Sequence, residues 1–455
     1  MTAQRHTVDE LKRLIQLALP LATFHFGTMT LGAVDTAVVG RLGEIELGAV
    51  GMGHAVFFVV TVLGSGIMMG LDPLLAQAIG AEEHAHADRL RWQGMWIAIL
   101  LSIPLGVVIA LLTFKIESFG LDVKSAEHTR AYLFARLPGL LPLLVFSAWR
   151  SFLQAHSHTK PLMIAILLAN IINIPASWYL VFGDQGMTRF GLPAIGFDGF
   201  GVAGAAWAST LCIVVQLVWV SVSIHLLEQH KLPQRRAPEM AIMRRIATLG
   251  TPIGLQLLAE FGVFTIVHIL MANLGPRALA SHHVAITFAA ATFNLALGIG
   301  AAASVMVGNR IGAGDTPSAR RAGFIAIATS TTVMATASLL FWTLPEFLAA
   351  WLTNQQPVIH AAGKLLMIAA IFQLSDGIQA VAAGALRGAG DTRIPLLSNL
   401  VGHYLIGLPV GVALAFVLGW GAQGLWWGLS AGLTAVALFL LLRFHYLSSS
   451  EIQRS

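Results

Sequence analysis

Trp92-Gln-Gly-Met-Trp-Ile-Ala-Ile-Leu-Leu-Ser-Ile-Pro-Leu-Gly-Val-Val-Ile-Ala-Leu-Leu-Thr-Phe114 runs from Arg91 to Lys115 without one charged side chain. A helix needs roughly 20 apolar residues to cross a bilayer, so this stretch reads as a membrane span. Inside lipid only a helix or a closed barrel satisfies its own backbone groups. The run does not alternate apolar with polar residues, as a barrel strand would. It is therefore read as a helix.

Runs of the same character recur along the 455-residue chain. They are placed at 14–39, 47–76, 92–114, 131–152, 161–182 and 200–226, then at 247–272, 279–308, 322–344, 363–386, 395–419 and 424–443. Only 11% of residues are charged, where a soluble domain carries about 25%. Mean hydropathy is +0.76. The fold expected is all-α and membrane-embedded, with twelve transmembrane helices. The longest polar interruption, Glu228 to Arg245, falls near mid-chain and holds Lys231, Pro233, Arg235, Arg236 and Pro238. It divides the chain into an N-terminal six-helix lobe (1–227), a linker (228–246) and a C-terminal six-helix lobe (247–455).

The halves resemble each other. Laying Pro20 on Pro252 also brings Leu42-Gly43 onto Leu274-Gly275 and Arg89 onto Arg321. The same register brings Gln77-Ala-Ile-Gly-Ala81 onto Asn309-Arg-Ile-Gly-Ala313. With the register moved on by a single position, Thr159-Lys160 meets Thr392-Arg393. Six spans per half give both repeats one orientation and a pseudo-twofold axis along the membrane normal. Arg41, Lys115, Lys124, Arg130, Arg136, Arg189, Arg277 and Lys364 fall on the side away from the termini, leaving 19 of the 27 basic residues on the side of the termini. The positive-inside rule puts both ends in the cytoplasm, which an even span count requires.

Several function classes drop out. The formal charge of +5 follows from this topology, and no basic stripe marks a nucleic-acid surface. Cys212 is the one cysteine, so no disulfide framework or thiolate metal site is expected. The polar stretch Met1–Arg13 and the long run after it do not fit a cleavable signal, so the first span is expected to be retained. No Gly-Lys-Ser/Thr phosphate loop and no His-Glu-x-x-His occurs. A transporter rather than an enzyme is expected, with no cofactor. The histidine- and acid-rich segment Glu82–Asp88 reads as a solvated loop.

Acids inside the spans carry the chemistry. Each costs about 2.5–3.5 kcal/mol at a helix centre on insertion scales, so such groups face a cavity or an ion path. Asp35 in span 1 has no Lys or Arg within five residues. It is either capped by a neighbouring hydroxyl such as Thr36 or takes and releases a proton during transport. Glu260 in span 7 and Asp376 in span 10 could share one site. Two carboxylates with added oxygens hold a hard cation or share one proton. Gln256, Gln373, Ser375 and Gln379 are polar neighbours for either arrangement, and no mid-span Lys or Arg offers neutralisation. Asp72, before Pro73, reads equally as a helix cap or a cleft group. His268 lies two turns beyond Glu260 and carries a modest functional weight.

Pro20 fifteen residues before Asp35, Leu71-Asp-Pro-Leu-Leu-Ala-Gln-Ala-Ile-Gly-Ala81, Ala280-Ser-His-His-Val-Ala285 and Leu386-Arg-Gly-Ala-Gly-Asp-Thr-Arg393 together resemble the multidrug and toxic compound extrusion (MATE) family of the MOP flippase superfamily. The resemblance covers essentially the whole chain. It implies two six-helix bundles around a V-shaped central cleft, in an inner-membrane antiporter that exports organic, often cationic, compounds against entry of H+ or Na+. It implies that Asp35 serves proton coupling with a helix bend at Pro20, and that Glu260 and Asp376 form a cation site. Departures are His283, where many members carry Gln, and Asp72, which resembles an acid of eukaryotic-like members. Asp72, Gln256, His268, His283, Ser375 and Gln379 are the supporting or substrate-cleft candidates. The partners expected are small organic molecules and the lipid bilayer, with no nucleic acid, for a monomeric chain. The alternative is a lipid-linked oligosaccharide flippase of the same superfamily, which should present buried Arg or Lys to a pyrophosphate.

Overall fold

The computed structural model describes residues 2–188, 191, 193–194, 196–227 and 237–454, with side chains from Thr7 onward. Arg189 and the 228–236 part of the expected linker lie outside the described residues. Among the described residues, twelve helices are long and apolar enough to cross a membrane. Spans 1 to 6 are Thr7–Val39, Glu44–Gly80, His84–Phe114, Val123–Ala155, Lys160–Thr188 and Val202–Leu227. Spans 7 to 12 are Met240–Asn273, Pro276–Gly312, Thr316–Thr343, Gln356–Gly388, Arg393–Val417 and Gly421–Leu447.

Several helices outrun the apolar stretches that announce them. Span 4 begins at Val123 rather than 131, because Asp122 caps it by accepting from the Lys124 and Ser125 N–H groups, both at 3.0 Å. Lys124, Glu127 and Arg130 in those first turns hide the helix from a hydropathy reading. Span 7 begins at Met240, so 240–246 of the expected linker is helical. Span 11 opens into π-helical turns at Leu400–Gly407 and Ala413–Val417. Such wide turns are uncommon and recur at functional sites.

Spans 1–6 form one bundle and spans 7–12 the other. They meet where span 1 packs on span 8 and span 2 packs on spans 7 and 8. The seam is made of backbone against backbone. A Cβ added at Gly66 would strike Gly254, and one at Gly298 would strike Ala22. One at Gly80 would strike Asn309, and one at Gly312 would strike Gln77. The register that lays Pro20 on Pro252 also lays Gly66 on Gly298, Ala22 on Gly254, Gly80 on Gly312 and Gln77 on Asn309. Each contact is thus the image of another under the internal repeat, and the pseudo-twofold axis passes through the seam. Small residues permit this approach between helices in lipid, where packing replaces the hydrophobic drive.

All of these contacts lie in the halves of spans 1, 2, 7 and 8 nearer the termini. In the other halves the backbone-to-backbone contacts stop, and the lobes meet through side chains such as Phe58 and Phe261, whose rings lie 4.7 Å apart. Gly32, Gly48 and Gly51 have no atom within 4 Å of an added Cβ. The V-shaped cleft therefore opens away from the termini.

The repeat extends to the turns. Glu82 (φ 61°) precedes span 3, and Gly314 (φ 74°) precedes span 9 at the matching place in the repeat. Ser157 (φ 62°) and Gly390 (φ 80°) likewise precede spans 5 and 11. The left-handed conformation costs a residue with a Cβ about 1–2 kcal/mol. The C-terminal lobe relieves it with glycine, and the N-terminal lobe bears it.

Replacing Gly70 tests the seam, because an added Cβ there meets the Ile246 carbonyl and Gly250 of span 7. Overpacking costs about 1–3 kcal/mol. Gly70→Val should lower the melting temperature in detergent, whereas Gly32→Val, with open space around it, should leave it unchanged.

Candidate functional site

Each lobe holds a buried acid site, and a charged cluster lies where the lobes meet. In the N-terminal lobe, span 1 carries Asp35, 5% exposed. Its Oδ1 accepts from Asn173 Nδ2 at 3.0 Å and from Ser177 Oγ at 2.8 Å, and Ser209 Oγ donates to Oδ2. Thr36 does not take part, since its hydroxyl donates to Gly32 O of its own helix. Asn173 and Ser177 stand one turn apart on span 5, and Ser209 stands on span 6. Cys212 Sγ lies 3.4 Å from Asn173 Oδ1, which orients the amide. Polar donors on two helices thus converge on a carboxylate carried by a third. Pro20 lies inside span 1, which runs helical through it. Its missing N–H leaves the Gln16 carbonyl without its ladder partner, beside the point where span 1 meets Gly298.

In the C-terminal lobe, Glu260 and Asp376 are 9% and 4% exposed, and each lies within electrostatic reach of the other. Glu260 accepts from Asn399 Nδ2 at 3.5 Å, and the Gln379 amide lies beside it. Gln379 Oε1 and Asn399 Oδ1 are buried without a hydrogen-bond partner. Two carboxylates and two amide side chains are thus buried close together on spans 7, 10 and 11. Gln256 is buried one turn before Glu260. Gln373 donates to Thr292 Oγ1 at 2.5 Å, and Ser375 Oγ lies 2.8 Å from Thr434 Oγ1, so both point elsewhere. His403, on the π-helical turn after Asn399, is fully buried with neither ring nitrogen hydrogen-bonded.

The histidines form a separate group. His268 stacks toward His282 of span 8 at 5.6 Å, and His282 meets Trp426 at 5.8 Å. His283 is exposed on the other face.

Asp72 sits at the seam. Ser151 Oγ donates to its Oδ1 at 2.6 Å, and Arg387 Nη1 of the other lobe lies 4.0 Å from its Oδ2. Arg150 lies within its field, and Arg387 lies within that of Glu260. A basic group at the seam therefore acts electrostatically on Glu260. Arg387 stands at the end of span 10, and its long side chain carries the charge inward. Two further pairs cross between the lobes, Glu10 with Arg310 at 3.9 Å and Glu83 with Arg454 at 2.9 Å. In all three the acid belongs to the N-terminal lobe and the arginine to the other half of the chain.

Sequence reasoning missed Asn173, Ser177, Ser209 and Asn399. Asn170, Asn173 and Ser177 do form a polar stripe at helical spacing on span 5, which is the signal available for them. Ser209 and Asn399 carry none, because only packing brings them to an acid. Among the described residues no group of three or more His, Cys, Asp or Glu could hold a metal ion.

The MatE family profile matches residues 20–179 and again 252–413. The two matches begin at Pro20 and Pro252, the pair that the internal repeat superposes. The chain is 36% identical over 452 residues to a probable multidrug resistance protein NorM of Deinococcus radiodurans, covering 97% of this chain and 96% of that one. It is 34% identical over 459 residues to multidrug resistance protein NorM of Burkholderia vietnamiensis, covering 98% and 96%. Its fold is similar to that of a MOP superfamily transporter from Pyrococcus furiosus, with a TM-score of 0.87 at 18% identity over 97% and 96% of the chains. It is also similar to the Vibrio cholerae MATE transporter VcmN in the bent form, with a TM-score of 0.84 at 18% identity over 98% of each.

The Glu83–Arg454 pair gives a pH test outside the spans. The hydrogen bond from Arg454 holds the Glu83 carboxyl below its ordinary value. A carboxyl depressed by folding contributes above its unfolded pKa and loses that contribution as pH falls through the folded one. Arg454→Gln should therefore raise the Glu83 pKa back toward that of free glutamate, read by carboxyl-carbon NMR titration, with little change in melting temperature because the pair is exposed.

Proposed function

The chain belongs to the multidrug and toxic compound extrusion family, and on that premise we propose that it is a secondary active antiporter. It exports organic, cationic and amphipathic compounds in exchange for H+ or Na+ by alternating access. The observation that carries the reading is a buried acid site in each lobe, beside a cleft open at one end and sealed at the other. Negative charge on Asp35, Glu260 and Asp376 inside the lobes attracts cations. The same carboxylates then give the coupling ion and a cationic substrate a reason to exclude one another, which is what exchange requires.

Asp35 is assigned to proton coupling. Loss of its charge on protonation weakens the bonds from Asn173, Ser177 and Ser209 and frees span 1 from spans 5 and 6, with Pro20 as the bend. Glu260 and Asp376 are assigned to cation binding, as Na+ ligands with Gln379 and Asn399 or as a shared proton site. Inward movement of one positive charge releases about 2.3 kcal/mol per 100 mV, so one or two ions per cycle sustain export. The termini are assigned to the cytoplasm and the chain to the inner membrane, with the cleft facing outward in this conformation. The seam pairs Asp72–Arg387, Glu10–Arg310 and Glu83–Arg454 then hold the cytoplasmic side shut.

Dye efflux from proteoliposomes tests this under separate Na+ and pH gradients. Asp35→Asn, Glu260→Gln and Asp376→Asn are compared with wild type. Loss of a coupling acid should slow efflux by roughly tenfold or more, the effect of about 1.4 kcal/mol. A variant that fails under only one gradient assigns its ion. Full activity in all three variants would sink the coupling assignment, and no dye movement by wild type under either gradient would favour the oligosaccharide flippase.

A further inference from the structure

At the end away from the termini, where spans 8, 10 and 12 begin, the C-terminal lobe holds a cavity of about 570 Å³. Its basic lining residues are Arg277, Lys364 and His360, and no Asp or Glu lines it. His360 is engaged outside, with its Nδ1 2.8 Å from Oε1 of Glu346. Arg277 and Lys364 are exposed and have no ion-pair partner among the described residues. Two unmatched cations thus share a concave surface that offers no counter-charge. Ser281 and Gln423 add polar groups to the lining, and Trp420 supplies an amphipathic wall.

The surroundings identify the phase this cavity faces. Trp342, Phe347, Trp351 and Trp420 are all more than half exposed, and the Phe347 and Trp351 rings lie 5.8 Å apart. Exposed aromatic residues at the ends of spans mark the headgroup level of a bilayer. Phe347 shares the short helix Pro345–Ala350 with Glu346, whose pairing with His360 fastens this aromatic rim to the cavity wall. Basic pockets between helices on the cytoplasmic side of membranes bind anionic headgroups, and the same charge attraction acts at headgroup depth at this end.

We propose that Arg277 and Lys364 bind the phosphate of an anionic phospholipid headgroup in this cavity. A zwitterionic headgroup brings an ammonium group as well as a phosphate. With no acid in the lining, that ammonium finds no partner and meets two cations, so the site discriminates by net charge. The apolar wall and the aromatic rim hold the glycerol end of the lipid, which free phosphate lacks.

Native mass spectrometry of the full chain, released from nanodiscs of mixed phosphatidylglycerol and phosphatidylethanolamine, reads the outcome. Wild type should retain phosphatidylglycerol in preference to phosphatidylethanolamine. Arg277→Gln/Lys364→Gln should lose that preference by roughly tenfold or more, and Arg277→Lys/Lys364→Arg should keep it. Inorganic phosphate should not displace the lipid. No preference in wild type, or undiminished preference in the double Gln variant, would overturn the proposal. Displacement by millimolar phosphate would assign the site to free anions instead and overturn the lipid occupant. Both side chains are exposed, and an unchanged melting temperature of the Gln variant confirms that it folds.

Discussion

The rest of this structure depends on a seam in which two helix bundles touch backbone to backbone. Gly66 against Gly254 and Gly298 against Ala22 are one contact repeated by the internal symmetry, as are Gly80 against Asn309 and Gly312 against Gln77. In lipid, helices gain little from excluding water, so close approach and packing must hold them together. A Cβ at these positions would push the bundles apart along the axis about which they are related. Because its backbone-to-backbone contacts lie in the half nearer the termini, the seam closes that end of the molecule, and the V-shaped cleft opens at the other.

That arrangement gives the buried charges their meaning. Asp35 is tied to spans 5 and 6 of its own lobe, and Glu260 and Asp376 face polar groups on spans 10 and 11 of theirs. Asp72 and Arg387 belong to the seam instead and link the lobes. Arg387 also lies within the field of Glu260, so the seam and the acid site of the C-terminal lobe are electrostatically continuous. A change of charge at Glu260 is felt where the lobes meet. Among the described residues the N-terminal lobe contributes the acid to the cross-lobe pairs Asp72–Arg387, Glu10–Arg310 and Glu83–Arg454, and the other half of the chain contributes the arginine.

The two lobes solve one fold with different residues. At matching turns the C-terminal lobe places Gly314 and Gly390, while the N-terminal lobe holds Glu82 and Ser157 in the same left-handed conformation. Span 11 departs further, with π-helical turns that bring Asn399 and His403 beside span 7. The C-terminal acid site also draws on spans 7, 10 and 11, the images of spans 1, 4 and 5, whereas Asp35 is held by spans 1, 5 and 6.

Twelve spans, the half-chain repeat and the three mid-span acids are legible in the sequence. Transfer from water to lipid acts on each helix separately and leaves a mark in its composition. The MATE resemblance is legible too, because its motifs are local. Helix ends were less so, as in span 4, where Asp122 caps a polar first turn that hydropathy passes over. Only the tertiary structure decided that Asn173, Ser177 and Ser209 converge on Asp35, that Ser375 turns to Thr434, and that Arg387 pairs with Asp72 across the seam. It alone gathered Arg277 and Lys364 around one cavity. A hydrogen bond or ion pair between helices depends on their rotation and depth relative to each other. The packing of the whole bundle sets those two quantities, and no single stretch of sequence records them.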